Sequence, residues 1–403
     1  MLAGLIFAVT YVAFAIGRIP GLRSDRIGAS VVGGALMVAA GVLSFHDAER
    51  TVDGATLALL FGMMVLSAAL DVSGAFAAVG HFVLKRAGSP RVLLVLLAAA
   101  AAVLSALMIN DVVCLAFTPL VLRVCDALEL EAKPYLVALA TSSNIGSVAT
   151  ITGNPQNILI ASLSHVTYRH FATLLLPVAL LALAVNTALV LFVYRDSFPK
   201  ERSTRNSGPP PAVQRAEAWK GAIVSLLVLV AFIAGAPPAL AALLGGAAML
   251  LTRTTRPEEL YARVDWTLLA LFTGLFVVVG GGERAGLAAH LLGFFSRLRV
   301  DTAWGLASVT AILSNLVSNV PAVMVLKGSI PHTANPEAAW VTLAMASTLA
   351  GNLTLPASLA TIIVVERAKH HTRVSLWDFC KVGTPSALFA LAFGTFWLWL
   401  VAY

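Results

Sequence analysis

The sequence predicts an all-α polytopic membrane protein, with about ten transmembrane helices and two re-entrant hairpins in two inverted repeats. Three observations predict it. Hydrophobic residues make up 59% of the 403 and charged residues only 12%, with a mean hydropathy of +0.88; a soluble domain carries about 25% charged residues. Polar segments rich in Gly, Asn and Thr interrupt two apolar stretches, SSNIGSVATITGNPQNILI at 142–160 and GNLTLPASLATIIVV at 351–365. Basic residues gather in alternate loops, which the positive-inside rule reads as cytoplasmic.

The elements follow in order. The first apolar stretch, 2–17, reads as a span and not as a cleaved leader, because it has no basic leading segment and no small-residue cleavage site before Arg18. Spans at 27–44 and 55–70 come next. Stretch 92–124 is interrupted by Asn110-Asp111. A polar tip at membrane depth suits a hairpin that enters and leaves by one face, its backbone sheltered by protein. A broken span, 135–162, and a continuous one, 171–194, complete an N-terminal repeat over 1–194. The Pro-rich, charged segment 195–220 is a solvated cytoplasmic linker. The C-terminal repeat, 221–403, holds spans at 221–235, 238–252 and 266–282, a second hairpin at 302–330 with its tip at Ser318-Asn319, a broken span at 336–366 and a last span at 377–401. Several stretches fall short of the ~20 residues an upright span needs, so their ends are soft.

This layout places 21 of the 27 basic residues on the cytoplasmic side and both termini outside. It also makes the halves opposed, with 55–70 running inward and 266–282 outward. A shift of 209 residues lays LSALMINDVV over LSNLVSNVPA, matching Asn110 to Asn319 and His81 to His290. A shift of 204 matches Thr150 to Thr354 and Asn157 to Thr361. Opposed repeats with broken elements in corresponding places describe an alternating-access transporter whose site lies at their interface.

The candidate site follows from the interruptions. Free N–H groups at helix N-termini favour anions, and free carbonyls can hold a cation. The substrate-binding candidates are Asn110, Asn144, Thr150, Thr152, Asn154 and Asn157 in the first half. In the second half they are Asn315, Ser318, Asn319, Asn352, Thr354, Ser358 and Thr361. Pro155 and Pro356 keep both broken segments from closing into continuous helices, and Gly146, Gly153 and Gly351 allow close backbone approach to a ligand. The bland reading of each hydroxyl is a bond to the preceding turn's carbonyl. Asp111, with Asn110 and Asn319, is the coupling-ion candidate, since an intramembrane carboxylate must be paired or protonated. Its competing role is to cap the returning helix arm.

Other chemistry is excluded. The three cysteines show no paired spacing, the eight histidines lie scattered, and no phosphate-binding loop occurs. No enzyme, metal site or cofactor is expected beyond Na⁺ or H⁺ as coupling ion. The net charge of +7 belongs to the cytoplasmic loops and not to a nucleic-acid surface.

The segments INDVVCLAFTPLVL, SNIGSVATITGNPQNILIA, LSNLVSNVPAVMVL and LAGNLTLPASLATIIVVERA resemble signatures of the ion transporter superfamily. Within it the chain is similar to the arsenite/antimonite permease, citrate-transporter-like and divalent-anion/sodium symporter group. The resemblance implies scaffold and transport units, a homodimer and an elevator-like displacement. The sodium-coupled dicarboxylate branch carries Ser-Asn-Thr at each tip. Here Ile109-Asn110-Asp111 and Ser318-Asn319-Val320 retain only Asn110, Ser318 and Asn319 of that pattern. The Asn-Asp pair is more similar to the arsenite permease side, which implies proton-coupled metalloid efflux.

The resulting expectation is a secondary transporter of a small anion or metalloid oxyanion (arsenite, an inorganic anion or a small carboxylate), driven by a proton or sodium gradient. It is placed in the cytoplasmic (inner) membrane of a prokaryote. A sodium/proton antiporter on the same scaffold is the alternative, and an anion channel is the alternative of another class.

Overall fold

Strong capping and apolar runs divide the chain into helices, and no strand occurs among the described residues. The computed structural model describes residues 2–17, 19, 24–164, 166–199, 212–251 and 255–403. In the first half these are α1 (Leu2–Ile16), α2 (Arg26–Ala39), α3 (Phe45–Thr51), α4 (Gly54–Val72), α5 (Ala75–Arg86), α6 (Pro90–Leu107), α7 (Asn110–Ala127), α8 (Ala132–Val148), α9 (Pro155–Leu163) and α10 (Tyr168–Val193). The second half holds α11 (Arg215–Ile233), α12 (Pro238–Leu250), α13 (Pro257–Tyr261), α14 (Trp266–Arg284), α15 (Leu287–Arg297), α16 (Ala303–Val317), α17 (Asn319–Leu326), α18 (Pro336–Leu349), α19 (Leu359–Ala368) and α20 (Leu376–Val401).

Side-chain caps set many of the starts. Asp25 accepts from Gly28 N at α2, Asp53 from Ala55 N and Thr56 N at α4, and Ser89 from Val92 N at α6, where Pro90 takes the position whose N–H would be unpaired in any case. Ser375 and Asp378 form a reciprocal capping box at α20. Six helices (α4, α6, α10, α11, α14 and α20) are individually long and apolar enough to cross a membrane, while α1, α2, α12 and α16 are shorter. One of the six, α6, is the first arm of the 92–124 stretch, so length alone does not separate crossings from hairpin arms.

Three boundaries differ from the sequence reading. The 27–44 stretch stops at Ala39, because Gly41 turns the chain at a φ of 69° and Ser44 then caps the separate short helix α3. There the Ser44 hydroxyl, helped by Arg284, holds the Asp47 carboxyl below the usual range. Helix α11 begins at Arg215, inside the expected linker, and Gln214 N bonds Ser73 O at 2.9 Å. Positions 200–211 of that linker, with Arg18, Arg23 and Arg253 of the charge count, lie outside the described residues. The second arm of the later hairpin is only the short α17, which passes into a 3-10 turn over Lys327–His332.

The packing pairs elements of one half with elements of the other. Helix α4 lies along α12, and α14 along α2. Both crossings need glycine: a Cβ on Gly62 would sit 2.3 Å from Ala242 O, and one on Gly274 would sit 2.5 Å from the Ser30 carbonyl carbon. Small residues that let backbones approach are the usual means of helix association where lipid removes the hydrophobic drive. Likewise α7 packs on α19, α17 on α9, and α10 on α20. Among the described residues, ion pairs between separate parts of the chain fall at two poles. Asp71–Arg263 and Lys133–Asp378 (3.3 Å) join ends that the charge count puts inside. Asp47–Arg284 (2.7 Å), Glu283–Lys327 (3.1 Å) and His170–Glu337 (3.5 Å) join ends it puts outside.

Candidate functional site

Both interrupted stretches break where the sequence places polar residues. Between α6 and α7 the chain turns at Met108-Ile109, and α7 restarts at Asn110. Between α16 and α17 a single residue, Ser318, makes the break at a φ of 78°. A non-glycine residue there costs on the order of 1–3 kcal/mol, a strain that concentrates at functional sites. The long broken segments behave alike. Helix α8 passes through a 3-10 turn at Ile151–Gly153 to α9, which Pro155 opens, and α18 passes through two such turns to α19.

These breaks meet. Asn110 Nδ2 donates to Asn144 Oδ1 at 3.0 Å, and Asn144 Nδ2 donates to Asn352 Oδ1 at 2.8 Å. Asn352 Nδ2 donates to the Thr141 carbonyl at 3.0 Å. Ser358 Oγ also donates to Asn144 Oδ1, at 3.0 Å, and Thr361 Oγ1 lies 3.4 Å from Asn144 Nδ2. All five side chains are buried. Since a backbone carbonyl can only accept, it fixes the direction of the whole chain of amides. Its free end is Asn110 Oδ1, which has no hydrogen bond.

In front of this relay lies a cavity of about 70 Å³. The first tip lines it with Asn110 and Asp111, the second with Ser318, Asn319, Val320 and Pro321. Pro155 and Gln156 of α9, Ser358 and Leu359 of α19, Phe14, Arg26, Leu268 and Leu271 complete the wall. The helices α7, α17 and α19 all begin at this cavity, and none has a side-chain cap. Ser358, which would cap α19, turns its hydroxyl to Asn144 instead. Unpaired first-turn N–H groups and the positive ends of three helices therefore converge there, an arrangement that attracts negative charge. Asp111 stands in the first turn of α7, and the cap position belongs to Ile109, so Asp111 does not cap that helix.

Only four of the substrate-binding candidates line this cavity: Asn110, Ser318, Asn319 and Ser358. Asn144, Asn352 and Thr361 stand one layer behind. The others hold the breaks together. Asn154 caps α9 and donates to Thr348 Oγ1 (3.1 Å), and Asn157 donates to the Ser147 and Thr150 carbonyls (3.1 and 2.9 Å). Asn315 bonds the Ala350 carbonyl (3.0 Å) and accepts from Thr354 (2.9 Å). Thr150 donates to the Ala106 carbonyl, and Thr152 meets the Tyr168 hydroxyl at 3.4 Å. The glycines serve packing: a Cβ on Gly146 would lie 2.1 Å from Ala102 O and one on Gly153 2.3 Å from Ser147 O. A Cβ on Gly351 would press on Ser358 at 3.0 Å.

Sequence reasoning missed Gln156, which faces the cavity while donating to Thr348 Oγ1 at 3.1 Å, and Arg26. Gln156 stood within a quoted motif and could have been found. Arg26 looked like one more basic residue of a cytoplasmic loop. Among the described residues no cluster of three metal-ligating side chains occurs.

Comparison with known proteins shows what the chain is similar to. The family model described as citrate transporter matches residues 11–350. The chain is 28% identical to the silicon efflux transporter LSI3 of Oryza sativa subsp. japonica, over 98% of this chain and 96% of that protein. It is 30% identical to an uncharacterized transporter of Mycobacterium tuberculosis, over 94% and 95%. Its fold is similar to that of the Alcanivorax borkumensis YdaH transporter, with a TM-score of 0.60 at 15% identity, covering 99% and 96% of the two chains.

Proposed function

The chain belongs to the citrate transporter family, and from that premise we propose that it is a secondary active transporter of a small anion or metalloid oxyanion. It is an integral membrane protein of a transporter family. The reading goes further on one observation: three helix N-termini without side-chain caps converge on a cavity shared by both hairpin tips. That cavity favours an anionic or strongly polar solute over a hydrated cation.

In this reading ten crossings and two re-entrant hairpins form two inverted repeats, with the linker cytoplasmic. The cross-pairing of α4 with α12 and of α2 with α14 supports it, as does the sorting of ion pairs to two poles. The protein works as a homodimer in the inner membrane of a prokaryote, is not an enzyme, and needs no cofactor beyond the coupling ion. Transport proceeds by alternating access, and Asp111 carries the coupling proton. The sodium/proton antiporter stays as second reading because the same carboxylate lines the same cavity.

Uptake into proteoliposomes tests this. Arsenite, phosphate, sulfate, succinate and citrate are offered under separate Na⁺ and proton gradients. Concentrative uptake of one of them supports the proposal. Exchange of Na⁺ for protons with no dependence on any of these solutes replaces it with the antiporter.

A further inference from the structure

Arg26 is out of place for a structural residue. It opens α2, where a cation meets the positive end of the helix at an electrostatic cost. Its Nε donates to the Phe14 carbonyl at 3.1 Å, and among the described residues no acid pairs with it. The rest of its planar fork of donors is left for something else. Arg26 nevertheless lines the same cavity as the two hairpin tips.

The tips offer the opposite chemistry. The amide relay forces Asn110 Nδ2 toward Asn144, so Asn110 presents an acceptor, buried and unpartnered. Asn319 has no hydrogen bond to hold its amide either way round, so it can present either atom. A fully ionised anion brings acceptors only and would leave Asn110 Oδ1 facing another lone pair. An uncharged hydroxy acid would satisfy Asn110 and leave Arg26 without a counter-charge. The cavity, about 70 Å³, suits a small solute.

We infer that Arg26 is a substrate-contacting, specificity-determining residue, and that the ligand is a small oxyanion that keeps at least one hydroxyl. Its ionised oxygens meet Arg26 and the helix N-termini, and its hydroxyl donates to Asn110 Oδ1. This rests on the transport reading and narrows its substrate class. In the topology above Arg26 lies toward the cytoplasm, so its effect is felt on that face.

The test uses the purified full chain with phosphate as probe, against sulfate, which bears no proton, and uncharged arsenous acid. Arg26→Gln should raise KM for phosphate presented at the cytoplasmic face by roughly 10- to 150-fold, the loss expected for a hydrogen bond to a charged group. Arg26→Lys should recover part of the loss. Phosphate should also raise the melting temperature of the wild type and not of Arg26→Gln, a reading independent of transport. Equal handling of sulfate and phosphate overturns the inference. So does transport of arsenous acid alone, unchanged by Arg26→Gln. Phosphate binding that needs Arg26, without transport, would instead sink the transporter reading and leave this one standing.

Discussion

Asn144 donates to Asn352 across 208 residues of chain at 2.8 Å, joining the broken segment of one half to that of the other. A buried amide is costly unless its donors and acceptors are used. Here the cost is offset by a relay in which each amide orients the next, so the order of Thr141, Asn352, Asn144 and Asn110 sets which atom is left without a partner.

Asn144→Ala should both destabilise the protein and stop transport. It leaves Asn110 Nδ2, Asn352 Oδ1 and Ser358 Oγ without their partner, and each buried unsatisfied group costs about 1–3 kcal/mol. A lower melting temperature in detergent together with lost uptake is the expected result. Unchanged stability would mean that the relay does not hold the breaks together.

Asn110→Ala and Asn319→Ala should behave differently, abolishing transport while the protein stays folded. Both line the cavity, and neither accepts a hydrogen bond from a structural group at Oδ1. The expected loss is roughly 10- to 150-fold in affinity for a charged ligand. Near-normal uptake in both variants removes the tips from the site.

Asp111→Asn should retain substrate binding and make transport indifferent to an imposed pH gradient. Its carboxyl lines the cavity and caps nothing. If the variant still concentrates substrate in response to the gradient, the proton is carried elsewhere.

Gly62→Ala and Gly274→Ala should each lower stability without touching the site. The added carbon meets backbone at 2.3 and 2.5 Å, respectively, so the helix pairs α4–α12 and α14–α2 must separate. Overpacking of this kind costs about 1–3 kcal/mol. A melting temperature unchanged in both would show that these crossings yield freely.

Sidedness is open to direct labelling. Cysteines placed at Ser207, in the linker, and at the exposed His46 of α3, in a background free of other cysteines, should react from opposite faces, Ser207 from the cytoplasm. Reaction of both from one face contradicts the opposed arrangement of the halves.

The sequence by itself determined the membrane class, the positions of the breaks and the two tips. Each is a local property: apolar runs must leave water, and a Pro or an Asn-rich interruption cannot continue a helix in lipid at low cost. Asn110, Ser318, Asn319 and Ser358 were legible because polar residues at membrane depth need partners. Tertiary structure alone decided how those candidates divide. Asn154, Asn157 and Asn315 look no different in sequence from Asn110, yet they spend their hydrogen bonds on the backbone of the breaks, and which amide is left with a free end depends on what lies opposite. The position of Arg26 also came only from folding. A basic residue beside a span reads as a loop charge until the packing of α2 along α14 brings it to the wall of the cavity.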